Sequence, residues 1–246
     1  MLSPHLLGKS LPAHFVHNMK IHRFYVSSVP DSSEIVLHDP LLIHQWSHVL
    51  RFRSGQRLAL FDGTTTDGLY ELIDLHKDAA KLKKIAANTR QVPAREVYLF
   101  WSVLKKDKND WVLQKCTELG VSYFVPLVAD RSEKANINMT RAQKIIIEAS
   151  EQSCRSDIPT IIEPISLKDA IADYHNRAKL FICEQGEDGT EGPLGQEAVG
   201  ILVGPEGGWS EVEKDYMKSA ALAQMNLGTF TLRAETACII GAAKLQ

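Results

Sequence analysis

The stretch Ile201-Leu202-Val203-Gly204-Pro205-Glu206-Gly207-Gly208-Trp209-Ser210 decides the fold class of this chain. An apolar run ends in a glycine-rich turn, and Ser210 with Glu213 then forms a capping box that begins a helix. Glycine lets the backbone approach a ligand closely, and ligands of open α/β sheets bind beyond the carboxyl ends of the strands. The turn therefore predicts a cofactor site, with a purely structural strand-to-helix turn as an equally favoured alternative. It matches neither GxGxxG nor a Walker loop, which disfavours dinucleotides and nucleoside triphosphates.

A second segment, Leu227 to Ala237, has a related pattern. A short apolar strand leads through Gly228 into a loop and then into a helix rich in small residues. Glu235 stands in the first turn, where a carboxylate complements the helix dipole. Arg233 stands at the junction itself, and site residues concentrate on such loops. A role for Arg233 in the site and a plain surface position are equally favoured by the pattern.

The region around these segments alternates between strands and helices. Val97 to Leu104 is a continuous apolar run, which is typical of a strand buried on both faces. The pattern also predicts a helix from Asn109 to Leu119, a buried strand from Tyr123 to Val128 and a long helix with Thr140 as its N-cap. Further strands are predicted at Thr160 to Pro164, Leu180 to Cys183 and Gly200 to Val203. This alternation predicts a mainly parallel α/β sheet.

The N-terminal part has a different rhythm. Between about Ile21 and Ala87, short apolar runs are separated by turn signals such as Ser54-Gly55 and Asp62-Gly63, which predicts a small β-barrel, with a short helix from Leu41 to Val49. We therefore divide the chain into an N-terminal extension (residues 1–18), a barrel domain (19–90) and an α/β domain (91–246). The extension is predicted to be poorly ordered.

Composition sets limits on the function. The chain has 246 residues and a formal net charge of -2, so it lacks the overall basic excess that many nucleic-acid binders have. Its four cysteines form no CxxC pair, which gives no metal site and fits reduced thiols in a reducing cytoplasm. No apolar run reaches the roughly 18 residues of a spanning helix. Of the tryptophans, Trp101 and Trp111 are predicted to lie in the core, whereas Trp209 is placed to cover a cofactor.

The glycine-rich stretch Val203 to Gly208, Leu227-Gly228 and the segment Leu232 to Ala237 together resemble the paired cofactor loops of the RsmE family of RNA methyltransferases. Thr229 and Phe230 depart from that family, which often has proline and a basic residue there. Collinear motifs from about Lys20 to Gln246 agree with the resemblance: Arg23 to Val26, His48 to Arg51 with Gly55, Leu60 to Gly63, Lys105 with Lys115, Glu118 to Val121, Pro126, Arg131-Ser132, Glu148-Ala149 and Glu151-Gln152.

The resemblance implies the fold and the assembly. We expect an N-terminal PUA-like β-barrel, which binds RNA, and a C-terminal SPOUT methyltransferase domain with a deep trefoil knot. We also expect a homodimer with its active site at the subunit interface. The small residues of the last helix, namely Ala234, Ala237, Gly241, Ala242 and Ala243, fit close packing against a second backbone.

The resemblance also implies the reaction, which is methylation of N3 of a uridine in 16S ribosomal RNA, within the small ribosomal subunit, by S-adenosylmethionine. The loops after Cys183, Val203 and Asn226 would enclose this cofactor. The residues expected to bind it are Glu184, Leu202, Val203, Gly204, Pro205, Glu206, Gly207, Gly208, Leu227, Gly228, Leu232, Arg233, Thr236 and Ala237.

Two residues are candidates for catalysis. Loss of the N3 proton leaves negative charge on uracil oxygen, and Arg233 is expected to stabilise that charge. Glu235 is expected either to orient Arg233 or to accept the proton. The target base must be unpaired or flipped out, since N3 lies on its Watson-Crick edge. Phosphate contacts are expected from Arg23, Arg51, Arg53, Lys105, Lys106, Lys108, Arg131 and Arg155, although for most single residues solvated surface charge is the simpler interpretation.

Two other functions remain open at this point. One is a SPOUT methyltransferase with a different target, such as a ribose of transfer RNA. The other is a non-catalytic RNA-binding or ribosome-assembly protein that kept the fold. The N-terminal barrel and the segment Leu232 to Ala237 favour the RsmE family over the first, and the intact glycine turn with Arg233 and Glu235 disfavours the second.

Overall fold

The structure is a computed structural model that describes residues 21–132, 136–184 and 197–246. The predicted extension, residues 1–18, lies outside the described residues. Two sheets are present in the described part. In the sequence, one precedes and the other follows the connector that begins after residue 87. This division agrees with the change of rhythm in the sequence.

The N-terminal domain is a five-stranded sheet whose strands share one core. Its strands are β1 (His22–Tyr25), β2 (Glu34–Leu37), β3 (Arg57–Phe61), β4 (Asp67–Leu75) and β5 (Ala80–Ala87), in the order β1-β3-β4-β5-β2. Every strand contributes apolar side chains to the same buried cluster, so the sheet curls around it. Helix α1 (Pro40–His44) and a π-helical turn (Gln45–Val49) add the fully buried Trp46 to this core. The predicted short helix is thus confirmed in place.

The C-terminal domain contains a seven-stranded sheet in which every pairing is parallel. The order along the main path is β12-β10-β11-β6-β7-β8, and β9 pairs with β7. The strands are β6 (Val97–Ser102), β7 (Tyr123–Val128), β8 (Thr160–Ile161), β9 (Ile165–Ser166), β10 (Lys179–Glu184), β11 (Val199–Val203) and β12 (Ala223–Asn226). The predicted parallel α/β sheet is confirmed.

Helices cover both faces of this sheet, because successive side chains of β6 pack alternately against two different groups of helices. Val97, Leu99 and Trp101 pack with α2, α3 and α6 on one face, whereas Tyr98 and Phe100 pack with α4 and α5 on the other. Because side chains alternate along a strand, an uninterrupted apolar run is what burial on both faces requires. The helices are α2 (Lys106–Glu118), α3 (Met139–Gln152), α4 (Leu167–Tyr174), α5 (Glu211–Ser219) and α6 (Ala234–Lys244).

Some predicted boundaries are wrong. Helix α3 begins two residues earlier than expected. The side chain of Asn138, and not that of Thr140, accepts the capping hydrogen bond from Arg141 N at 3.0 Å. Helix α2 begins at Lys106, ahead of the predicted Asn109. Trp111 of α2 is half exposed and not in the core. The trefoil knot stays a prediction, since residues 185–196, which join β10 to β11, lie outside the described residues.

The small residues of α6 pack inside their own chain. A Cβ on Gly241 would lie 2.5 Å from Ile201 Cδ1, and Ala234, Ala237 and Ala242 belong to the core beneath the sheet. The expectation that this series of small residues faces a second subunit is therefore wrong for these four positions. Of the five residues only Ala243 is exposed.

A buried polar network joins the two domains. The Asp67 carboxylate, at the start of β4, accepts from Arg23 Nη2 at 2.7 Å, from Asn88 Nδ2 at 2.8 Å and from the Ser156 hydroxyl. Arg23 also donates to the carbonyl of Arg155 at 3.0 Å. Burial by itself would raise the pKa of Asp67, but the hydrogen bonds from Arg23, Ser156 and Asn88 outweigh it and lower that pKa.

No helix within the described ranges is long and apolar enough to cross a membrane.

Candidate cofactor site

A cavity of about 430 Å³ opens where three neighbouring strands end. Because β12, β10 and β11 are adjacent and parallel, their carboxyl ends meet at one edge of the sheet. The cavity is lined by Cys183, by Val203 to Glu206 with Gly208 and Trp209, and by two parts of the later loop, Leu227-Gly228 and Phe230 to Ala234, with Ala237. Its size is that of a small-molecule site. The two segments singled out in the sequence therefore face each other across one cavity.

Glycine is required at two points of this wall. A Cβ on Gly204 would lie 3.0 Å from the indole of Trp209, so a larger residue would push the ring out of place. Gly228 has φ +129, a value that residues with a side chain rarely adopt. The buried indole N–H of Trp209 has no acceptor among the described residues. An unpaired buried donor beside a cavity is a place where a ligand acceptor would be stabilised.

The glycine loop is held from outside by the loop after β7. Arg131 Nη1 donates to the carbonyl of Gly207 at 3.0 Å. Ser210 N donates to Glu213 Oε2 at 2.8 Å and Glu213 N donates to Ser210 Oγ at 3.2 Å, which confirms the predicted capping box. Glu213 also accepts from Asp130 N at 2.9 Å. The turn is thus fixed by hydrogen bonds before any ligand binds.

A lysine of α2 connects the two loops of the cavity. Lys108 Nζ lies 2.8 Å from Glu206 Oε1 and 3.4 Å from Glu235 Oε2. The hydrogen bond from Lys108 lowers the pKa of Glu206, and the same bond raises the pKa of Lys108. Glu206 is therefore an ionised carboxylate on the cavity wall at neutral pH.

The two predicted catalytic residues occupy different environments. Arg233 is the exposed N-cap residue of α6 and lines the cavity. Glu235 is buried one step into α6, and its carboxylate faces Lys108. Glu235 is not among the residues that line the cavity.

The structure places most of the predicted cofactor residues at the cavity. Leu202 does not line the cavity, because its side chain is fully buried among the residues that pack with α4 and α5. The expected contact is with its backbone groups, and it stays a prediction. Gly207 and Thr236 adjoin the cavity without lining it, and the side chain of Glu184 lies outside the described part. The sequence missed four lining residues, namely Cys183, Phe230, Thr231 and Ala234. Burial raises the pKa of the Cys183 thiol to about 12, so it is protonated.

The eight predicted phosphate contacts separate into distinct groups. Arg155 is buried and donates to Asp157, to Thr117 O and to Val121 O, so the prediction that it contacts RNA is wrong. The predicted phosphate contact of Arg23 is wrong for a similar reason. Its guanidinium lies in the domain junction, where it pairs with Asp67.

The other cations remain nearer the surface. Lys108 and Arg131 both contact the glycine loop, as described above, and Lys105 precedes α2 on the same side. Arg51 and Arg53 are exposed on the N-terminal domain. The side chain of Lys106 lies outside the described part. In the ranges that the structure describes, no group of three or more His, Cys, Asp or Glu side chains could hold a metal ion.

Comparison with known proteins identifies the class. Residues 90–246 match the family described as RNA methyltransferase domain, and residues 48–85 match the family described as RNA methyltransferase PUA domain. The fold and the cavity thus define an RNA methyltransferase with an N-terminal PUA domain.

Individual relatives narrow the class. Ribosomal RNA small subunit methyltransferase E of Helicobacter pylori is 31% identical over 204 residues, covering 80% of this chain and 87% of the relative. The protein of the same name from Rickettsia conorii is 28% identical over 235 residues, covering 93% and 96%. The crystal structure of the Neisseria gonorrhoeae protein of that name, bound to S-adenosyl methionine, superposes with a TM-score of 0.80 at 29% identity, covering 91% of this chain and 95% of that one. The chain belongs to the ribosomal RNA small subunit methyltransferase E family.

Proposed function

We propose that this protein uses S-adenosylmethionine to methylate N3 of a uridine in the 16S RNA of the small ribosomal subunit. The observation that carries the proposal is the cavity itself, in which the glycine turn after β11 faces the loop that ends at Arg233. The relative from Neisseria gonorrhoeae, which shares this fold, binds the same cofactor. We propose that the protein works in the cytoplasm, where such subunits are assembled.

The residues of the cavity fit this cofactor. The unpaired indole N–H of Trp209 offers a hydrogen-bond donor. Gly204, which has no Cβ, lets the backbone lie close to that ring. The Glu206 carboxylate is ionised and already paired with Lys108, so it offers the cofactor hydrogen-bond acceptors and no unpaired negative charge. Backbone groups of residues 203–208, together with Leu227, Gly228 and Leu232, would hold the cofactor, which supplies an electrophilic methyl group.

Arg233 is proposed to act on the base. The imide proton of N3 must pass to solvent water as N3 attacks, and negative charge then spreads onto the neighbouring uracil oxygens. The guanidinium of Arg233 lies at the cavity and stabilises that charge through hydrogen bonds, as a preorganised cation does in other transfer reactions. Holding the base in line with the methyl group supplies a further share of the rate.

Glu235 is proposed to act indirectly. Its buried carboxylate pairs with Lys108, which also holds Glu206, so it fixes the two loops relative to α2. This is a positioning role. It replaces the expectation that Glu235 itself takes the proton, since the side chain faces Lys108 and not the cavity.

We further propose that the active form is a homodimer, as the resemblance implies. Phe230 is 81% exposed although it lines the cavity, and Ile240 of α6 is also partly exposed. A second subunit that covered Phe230 would bury apolar surface and close the cavity to water. Sedimentation at micromolar concentration should give twice the mass of one chain; a monomer that still turns over would contradict this part of the proposal.

The central test is chemical mapping of the RNA. Mass analysis of ribosomal nucleosides from cells with and without this gene should show one N3-methyluridine that disappears from 16S RNA and returns with a plasmid copy. Purified protein should then restore it on subunits from the deleted strain. Loss of a ribose methyl group instead would identify a different target, and calorimetry that detects no binding of S-adenosylmethionine would favour a non-catalytic binding protein.

A further inference from the structure

A phenyl ring lies open on the rim of the cofactor cavity. Phe230 lines that cavity, yet it is 81% exposed, whereas the other phenylalanines that the structure describes are all buried. Within the described ranges, one further aromatic residue lines the cavity, namely Trp209, and it is buried. The described part of the cavity thus has one open aromatic face, and that face belongs to Phe230.

The loop that carries Phe230 is anchored on both sides of the ring. Leu227 and Leu232 are half-buried and pack against the core cluster that also contains the buried residues of α6. Gly228 N donates to Asn226 Oδ1 at 2.7 Å, and the positive φ at Gly228 turns the chain after β12. The chain between the two leucines therefore runs over the surface, and the fold itself holds Phe230 in the open.

The neighbours of this ring in the loop are polar. Thr229, Thr231 and Arg233 are all exposed, and Thr231 and Arg233 line the cavity together with Phe230. Hot spots of protein interfaces lie in desolvated, well-packed pockets, whereas this face combines one flat apolar ring with hydroxyl groups and a guanidinium. Such a combination suits a nucleobase, which has an apolar face and polar edges.

The proposed reaction requires a surface of this kind. N3 lies on the Watson-Crick edge, so the target uracil must leave its pair and its stack before N3 can meet the methyl group. A base taken out of the stack loses contacts on its faces, and an aromatic side chain replaces them on one face. Because Arg233 and Phe230 line the same cavity from the same loop, one short segment supplies both a stacking face and a cation for the uracil oxygen.

We propose that Phe230 stacks on the flipped-out target uracil and holds it at the cavity while N3 is methylated. This inference rests on the proposed function for the identity of the base. The family that the sequence resembles often has a basic residue beside this place, and a basic residue suits a phosphate. An uncharged phenyl ring does not, so its contact is with the face of a base. A ring has two faces, so a second subunit that packs against one leaves the other for the base.

Three variants of the full chain separate the flat face of the ring from its apolar bulk. Phe230→Leu keeps an apolar side chain without a flat ring, and Phe230→Ala removes both. At saturating S-adenosylmethionine, each should lower kcat/KM for small subunits from the deleted strain by about fivefold or more, the lower range for loss of one stacked base. Phe230→Tyr restores a flat ring and should recover most of the kcat/KM that Phe230→Leu loses.

Val212→Ala is the matched control, because Val212 is 76% exposed at the start of α5 and does not line the cavity. It should have the kcat/KM of the parent. Calorimetry should give Phe230→Leu the cofactor affinity of the parent, and sedimentation should give it the mass of the parent.

Equal kcat/KM for Phe230→Leu and the parent overturns the stacking proposal, as does a Phe230→Tyr variant that is as slow as Phe230→Leu. A loss in Phe230→Leu that is matched by weaker cofactor binding, or by dissociation into single chains, also overturns it, because the ring then serves the cofactor or the second subunit. Mapping the nucleotide that the parent methylates tests the proposed function separately. A methyl group at a place other than N3 of a uridine contradicts that function, while the comparison of the variants still decides whether Phe230 holds the base.

Discussion

Lys108 Nζ lies 2.8 Å from Glu206 Oε1, although the two residues are 98 positions apart in the chain. The lysine belongs to the first turn of α2 and the glutamate to the glycine turn after β11. Glu235 approaches the same ammonium group from the start of α6 at 3.4 Å. One cation of α2 therefore contacts both the glycine turn, through Glu206, and the start of α6, through Glu235.

Replacing Lys108 should loosen both walls. Lys108→Met leaves the buried Glu235 carboxylate without its cation, which should cost about 1–3 kcal/mol in the free energy of unfolding. We also expect affinity for S-adenosylmethionine to fall about tenfold, or about 1.4 kcal/mol. Urea unfolding and calorimetry measure the two effects.

Two companion variants separate position from charge. Lys108→Arg keeps the cation and should recover part of the cofactor affinity. Adding Glu235→Gln to Lys108→Met should recover part of the lost stability, because no buried charge is then left unpaired. Stability of Lys108→Met equal to that of the parent would show that the bridge does not hold the fold.

Arg233→Ala should affect the chemical step. The side chain is exposed and has no packing role, so the fold should tolerate its removal. Loss of one charge-stabilising donor typically lowers turnover about 10²- to 10³-fold. Single-turnover methylation of small subunits measures this, with RNA and cofactor affinities determined in parallel. Arg177→Ala, an exposed arginine beside Tyr174, is the control. Unchanged turnover would remove Arg233 from the mechanism.

Gly204→Ala should displace Trp209. The new Cβ would lie 3.0 Å from the indole ring, and overpacking of this kind usually costs about 1–3 kcal/mol. Cofactor affinity should fall, since the ring and the glycine share the cavity wall. A second change, Trp209→Phe, provides a smaller ring and should restore part of the affinity. If the double variant binds more weakly than Gly204→Ala alone, steric displacement is the wrong cause.

Asp67→Ala should destabilise the domain junction. It leaves the guanidinium of Arg23 nearly buried without its carboxylate, and breaking such a pair costs about 3–5 kcal/mol. Glu34→Ala removes the exposed partner of Lys81, an ion pair that solvent screens, and should lower stability much less. Denaturant unfolding followed by tryptophan fluorescence compares the two. Similar small losses in both would mean that the junction contributes little.

The same carboxylate gives a pH dependence. The pKa of Asp67 is lowered in the folded state, so its contribution to stability is present above the unfolded pKa of about 3.9 and is lost as pH falls below that value. The difference in unfolding free energy between the parent and Asp67→Asn should therefore shrink between neutral pH and strongly acidic pH. A difference that is constant with pH would contradict the assignment.

Local patterns of the sequence were sufficient for many of the elements. The capping box at Ser210 and the uninterrupted apolar run of β6 are local features, and both appear as predicted. Glycine and strand signals marked both cavity loops as candidates, but they favoured a structural turn equally, and the resemblance to a family decided for a cofactor. Helix starts were less accurate, because Thr140 suits a cap by residue type whereas the side chain of Asn138 caps α3.

Long-range partners could not be predicted from local patterns. Arg155 and Arg51 look alike in sequence, yet one satisfies buried carbonyls of residues 34 and 38 positions away and the other is exposed. Trp111 has an apolar side chain, but its neighbours Val112 and Leu113 occupy the face of α2 that meets the sheet, so the indole points away from the core. Whether a side chain is buried depends on which face of its helix packs against the sheet. The spacing of the apolar residues in α2 did not decide whether the face with Trp111 or the face with Val112 and Leu113 would pack.

The junction around Asp67 has a consequence for substrate selection. Because Arg23, Ser156 and Asn88 tie the barrel to the α/β domain through one buried carboxylate, the barrel is held at a fixed distance from the cofactor cavity. An RNA that contacts both domains must match that distance with its own folded shape. A lone nucleotide or a very short oligomer offers no such match, so we expect folded RNA to be methylated in preference to short oligomers.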